Sequence, residues 1–134
     1  MSSIFTKIIQ GKIPCEKIIE TDSEIAFLDI MPCAEGHTLV IPKLEVKRLE
    51  DLPKSEALSL MRTMHHVAKA VSAAFDGIDY NLILNNGVNA GQEVEHVHFH
   101  VLPRSQGSSR PFHQRAKYAE GEMQEVGAKI RNCL

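Results

Sequence analysis

The sequence predicts an α+β fold, with about five antiparallel strands, one short helix, one long helix and a C-terminal helix. Three observations carry this. Short strand-like runs are separated by tight turns, one long segment repeats its apolar residues at helical spacing, and His96-Val97-His98-Phe99-His100 alternates strictly between imidazole and apolar side chains. At 134 residues the chain fits one domain over 1–134, with a core at about 4–104 and a tail and helix over 105–134.

Ser2 or Ser3 caps a short first helix in which Ile4, Phe5, Ile8 and Ile9 fall at helical spacing, ending near Gly11 ahead of Pro14. Segments 17–21 and 25–29 form a hairpin across Asp22-Ser23-Glu24. Met31-Pro32 and Glu35-Gly36 then mark a loop, and His37-Thr38-Leu39-Val40-Ile41-Pro42 is a third strand closed by proline. The long helix spans 53–75, opening on Pro53 and stopped by Asp76-Gly77. Its Leu58, Met61, Ala68, Val71 and Phe75 form an apolar stripe facing the sheet. Adjacent helical residues diverge by about 100°, so His65 and His66 divide into one beside the core and one in solvent.

Segment 80–84 is a fourth strand, and a Gly/Asn-rich connection from Asn85 to Gln92 leads to the histidine strand. Such residues tolerate positive φ and let a ligand approach the backbone. After Pro103, the polar stretch 105–109 reads as a mobile connection. A final amphipathic helix carries Met123, Val126 and Ile130, weakened by Gly121 and Gly127. The helices cover one side of the sheet.

Charge and cysteine usage narrow the functional classes. With 15 Lys plus Arg against 17 Asp plus Glu, the formal charge is −2, and there is no dense basic stripe to hold nucleic acid. Cys15, Cys33 and Cys133 lack a C-x-x-C pairing, which suits a reducing compartment. Thr6, Lys7 and Gln10 interrupt the N-terminus, unlike a signal peptide, and no run approaches the ~20 apolar residues of a membrane span. A soluble cytoplasmic protein, with no membrane partner, is expected.

The alternating histidines place three imidazoles on one strand face and Val97, Phe99 and Val101 on the other. Residues two apart on a strand stand about 6.8 Å apart, and four apart about 13.5 Å. Two neighbouring imidazoles can therefore converge on one atom, whereas three cannot readily do so. One reading pairs two of them in a zinc site completed by His37, His113, Glu35 or Glu93, among which the spacing does not choose. The other makes His98 a nucleophile flanked by a phosphate-binding imidazole and an orienting one, a neutral imidazole being able to attack phosphorus. Further histidines then supply donors without a metal.

The run His96 to Leu102 resembles the H-φ-H-φ-H-φ-φ signature, φ being apolar, of the histidine triad (HIT) superfamily of nucleotide hydrolases and transferases. Phe5 with Lys7-Ile8-Ile9, Ile13-Pro14, Phe27-Leu28-Asp29-Ile30, the block from His37 to Lys43, and then Asn85, Gly87 and Gly91-Gln92 resemble successive blocks of its Hint-like branch. The resemblance covers roughly residues 4 to 104.

It implies a purine nucleoside monophosphate pocket and a nucleotidyl-histidine intermediate. His98 would attack the α-phosphorus, His100 would contact its oxygens, His96 would hold loop and triad together, and His37 would support the nucleophile's ring through a relay. Asp29 would hold the ribose hydroxyls, Ile13, Phe27 and Ile30 would surround the base, and Asn85 with the Gly91-Gln92 backbone would contact phosphate or leaving group. Glu93 stands where many members carry a phosphate-contacting serine, leaving its backbone N–H for that task. Ser3, Thr6 and Glu45 stand where some bacterial members have zinc ligands, so no metal and no cofactor are expected. The tail from Ser105 to Leu134 resembles that of other, mostly prokaryotic, members. The implied protein is a homodimeric hydrolase of purine nucleoside phosphoramidates or related AMP-linked substrates. A dinucleoside polyphosphate hydrolase of the Ap4A/Ap3A type and a nucleotide-binding interaction protein that needs no turnover are the alternatives.

Overall fold

The computed structural model describes residues 2–105 and 114–134. Helix α1 (Ile4–Ile9) opens on Ser3, whose side chain accepts the Thr6 N–H, a cap that satisfies one orphan donor of the first turn. Strands β1 (Lys17–Glu20), β2 (Glu24–Leu28) and β3 (Thr38–Pro42) follow as an antiparallel meander. Helix α2 (Lys54–Ala74), strands β4 (Asp79–Leu84) and β5 (Phe99–Arg104) and helix α3 (Glu122–Arg131) complete the chain. The sheet order is β1-β2-β3-β5-β4, with every pairing antiparallel. Among the described residues, no helix is long and apolar enough to cross a membrane.

The sheet's two faces differ. On one, Ala26, Leu28, Val40, Val97 and Val101 pack with Leu60, Met64, Val67 and Val71 of α2 and Val126 and Ile130 of α3. The C-terminal helix thus contributes to the core instead of trailing from it. Phe5, Ile25, Phe27, Leu39 and Ile41 form a second cluster on the other face, with the short α1. Both faces are covered, the second only in part, and the gap beside α1 becomes a cleft.

Several expectations change here. Leu58 and Met61 are 59% and 52% exposed, because the buried stripe of α2 runs through Leu60, Met64, Val67, Val71 and Ala74, a tighter three-and-four repeat. His65 and His66 both lie on the exposed side of the helix. The histidine strand begins only at Phe99, so His96 and His98 sit in the extended segment leading into it. Pro103 lies within β5, opposite Tyr80 of β4 and beyond the last pairing with β3, where its missing N–H breaks no ladder bond. Of the expected mobile connection, 106–109 lies outside the described residues, as does His113.

Two glycines have steric duties. Gly36 has φ +89°, and a Cβ there would lie 2.6 Å from the Phe75 ring. Gly127, expected to weaken α3, instead admits Glu16: a Cβ would stand 2.7 Å from its Cγ, beside the ion pair of Glu16 with Arg131 at 2.6 Å.

Candidate active site

The cleft beside α1 has a volume of about 610 Å³, the size of a small-molecule site. Its wall is largely apolar, with Ile4, Phe5, Ile8, Ile13, Phe27 and Leu39. The same cleft is lined by the polar Asp29, Asn85, Glu93, His98, His100 and Arg115. Ile30 stands on the rim, 65% exposed.

The histidines are buried, and burial pushes the pKa of each below the ordinary 6.5. Neutral imidazoles have one N–H and one lone pair, so their neighbours assign the tautomers. His98 Nδ1 lies 2.8 Å from the carbonyl oxygen of His96, which can only accept; the proton is on Nδ1 and the lone pair on Nε2. His96 Nε2 donates to the Pro42 carbonyl at 2.8 Å, and its Nδ1 accepts the Ser3 hydroxyl at 2.8 Å. The Cys33 N–H donates to His37 Nδ1 at 3.1 Å, so His37 carries its proton on Nε2 and donates to His100 Nδ1 at 2.9 Å. His100 accordingly has its proton on Nε2. Acceptor and donor thus stand on neighbouring rings, whose centroids are 5.0 Å apart.

Phe5 packs edge-on to His98, with ring centroids 4.9 Å apart, and also meets His96 at 5.9 Å. The turn carrying it is tied down by Glu45, which accepts the Ser3 N–H at 2.7 Å and the Thr6 hydroxyl at 2.5 Å. Those bonds hold the Glu45 carboxyl below the usual carboxylate range. Ser3, Thr6, Glu45 and His96 therefore meet as a hydrogen-bonded cluster of mostly oxygen donors.

Asp29, His37 and His100 bring ligand atoms within 4.8 Å of one another, a spacing a metal ion can use. In the observed arrangement the two imidazole nitrogens share a proton between them, and Arg115 Nη1 donates to Asp29 Oδ2 at 2.9 Å.

The geometry sorts the remaining expected residues. Ile13, Phe27, Asp29, Ile30, Asn85, Gly91 and Glu93 all line the cleft. The Gln92 side chain does not. It accepts the Gly87 N–H at 2.7 Å and donates to the carbonyls of Lys47 and Val94 at 2.7 and 2.9 Å, buckling the loop that presents Gly91. Arg115 was not expected: it lies 86 residues from Asp29, and no spacing in a polar tail singles it out. Phe5 was foreseen as a buried helix residue, but nothing in its periodicity says that its ring meets an imidazole.

Comparison with known proteins places the chain in a family. The chain is 42% identical over 104 residues to adenosine 5'-monophosphoramidase hnt1 of Schizosaccharomyces pombe, covering 78% of this chain and 75% of that one. The structure resembles a Hit-like protein involved in cell-cycle regulation from Bartonella henselae, with a TM-score of 0.88 and 36% identity over 99% of this chain and 97% of that chain. A zinc-bound histidine triad family protein from Mycobacterium smegmatis matches with a TM-score of 0.87 and 33% identity, covering 99% and 93% of the two chains. With residues 10–107 also matching the HIT domain family, the chain belongs to that family.

Proposed function

We propose that the protein is a nucleotide hydrolase that cleaves the α-phosphate of purine nucleoside phosphoramidates or related AMP-linked substrates through a nucleotidyl-histidine intermediate. The supporting observation is the tautomer of His98: with Nδ1–H held by the His96 carbonyl, the lone pair on Nε2 is available in the cleft that His98 lines beside His100. Attack by Nε2 on the α-phosphorus forms an N–P bond as the bond to the leaving group breaks, and the leaving group departs with a proton. Water then attacks the same phosphorus and gives up a proton, which replaces the one that the leaving group took from the medium; the N–P bond breaks, and nucleoside monophosphate leaves with the Nε2 lone pair of His98 restored. His100, with its N–H on Nε2, is a donor for the phosphoryl oxygens. Ile13, Phe27 and Ile30 of the cleft wall receive the purine, and Asp29 the ribose hydroxyls.

The name of the S. pombe relative, which is 42% identical over 104 residues, supports phosphoramidates as the substrate class. We further propose a cytoplasmic homodimer working without metal. Supporting the dimer, β4 is a sheet edge with Tyr80 and Leu82 exposed, a surface able to pair with a second copy. His98→Ala should abolish turnover of adenosine 5′-phosphoramidate, and an AMP adduct on His98 should be trapped by acid quench of the wild type. Undiminished turnover in the variant refutes the mechanism. Loss of turnover on complete chelation refutes metal independence.

A further inference from the structure

Asp29 and Arg115 come from opposite ends of the chain and meet in the cleft. Arg115 Nη1 donates to Asp29 Oδ2 at 2.9 Å and to the Met31 carbonyl at 3.1 Å. The other carboxylate oxygen, Oδ1, accepts the Met31 N–H at 2.9 Å. Two more bonds lay the same tail segment along the loop between Asp29 and His37. The Ala116 N–H donates to the Pro32 carbonyl at 2.8 Å, and the Gly36 N–H donates to the Tyr118 hydroxyl at 3.0 Å. Burial pushes Tyr118 up to about 12, so its hydroxyl stays neutral.

We propose that Arg115 is the positioning residue of a ribose clamp, fixing the Asp29 carboxylate so that it selects nucleotides carrying both ribose hydroxyls. The inference rests on the nucleotide reading above and deepens it. A carboxylate has about four lone-pair sites, two on each oxygen. Among the described residues, one hydrogen-bond donor meets each oxygen, which leaves a site on each for the two O–H donors of a vicinal diol. An Asp carboxylate rotates through a broad torsional well, so pinning both oxygens sets in advance the geometry a diol needs. Asp29 and Arg115 side chains are only 16% and 22% exposed. A carboxylate so enclosed needs a compensating charge, which a neutral donor would not bring.

Isothermal titration of the full chain with AMP and with 2′-deoxy-AMP tests this. The wild type should prefer AMP by about tenfold, the worth of a hydrogen bond to a charged group. Arg115→Ala should bring the ratio close to one, mainly by weakening AMP. Arg115→Lys keeps the charge and several donors on one nitrogen but reaches one bond less far than Nη1, and should give an intermediate ratio, which keeps the test decisive if the alanine variant does not fold. Adding Arg115→Ala to Asp29→Asn should change the ratio no further. Equal weakening of both ligands with the ratio preserved would reduce Arg115 to a structural role and overturn the proposal, as would tighter AMP binding in Arg115→Ala, which would make the arginine a competitor of the diol. A wild type that binds both ligands equally also overturns the clamp, whereas failure of the nucleotide reading is seen separately, as a wild type that binds neither.

Discussion

The two terminal segments of the chain both close on the cleft, but they hold different things. The N-terminal turn grips the buried imidazoles: Ser3 bonds His96 and Phe5 packs on His98. The C-terminal segment grips the Asp29 carboxylate, through Arg115, and the loop behind it, through Ala116 and Tyr118. The first contacts are between neutral groups; the second depend on an ion pair. Damage at the N-terminal turn should therefore appear in kcat, and damage at the C-terminal segment in KM.

Acid should have the largest effect, because it attacks both regions at once. His37, His96, His98 and His100 are held below 6.5 by burial, whereas the unfolded chain titrates at the ordinary value. Below about pH 6.5 the unfolded state binds more protons, so the stability these groups contribute is complete above that pH and is lost as pH falls. Urea midpoints measured from about pH 7.5 down to 5 should drop steadily, and a flat profile would show that the imidazoles are not buried neutral. Replacing the four by uncharged residues of similar size should flatten it.

Phe5→Ala comes next. Removing a buried phenylalanine costs about 3–5 kcal/mol, and the loss of its edge contact should lower kcat more than it raises KM. On the other side of the comparison, Gly36→Ala combines positive φ with a clash against Phe75 and should cost about 2 kcal/mol or more, read from chemical denaturation. Ser3→Ala removes a cap and the donor to His96 together, for about 1–2 kcal/mol, again with a kcat effect. Tyr118→Phe should be the mildest, about 1 kcal/mol from one lost acceptor, and should act on KM. A Tyr118→Phe variant impaired mainly in kcat would erase the distinction between the two ends.

The local elements were legible beforehand; the contacts that divide the two ends were not. The alternation around His98, the cap at Ser3 and the helix over 53–75 are local patterns, written within a few residues of one another, and α1 and α2 lie close to where periodicity put them. The face of α2 was misjudged because Leu58 and Met61 are as apolar as Leu60 and Met64; only the sheet decides which set is buried. His37 was reached through a resemblance, not through spacing. Arg115 and the Ser3–Glu45 bond join segments 86 and 42 residues apart, and no periodic signal spans such distances. The Gln92 side chain adds a further such tie, bonding Gly87 within its loop and Lys47 outside it, beside the backbone that the resemblance assigns to the ligand.

The Cys33 amide that donates to His37 gives the relay an origin that cannot be titrated or turned around. An imidazole chain held at both ends by side chains could run its protons in either sense, and pH or a rotamer change would choose between them. Here one end is a main-chain N–H, covalently committed to donate, and the direction of every proton downstream as far as His100 follows from it. The polarity of the paired imidazoles is in that sense inherited from the backbone path of residues 33–37, a direction set by the main chain and not by any side chain's charge.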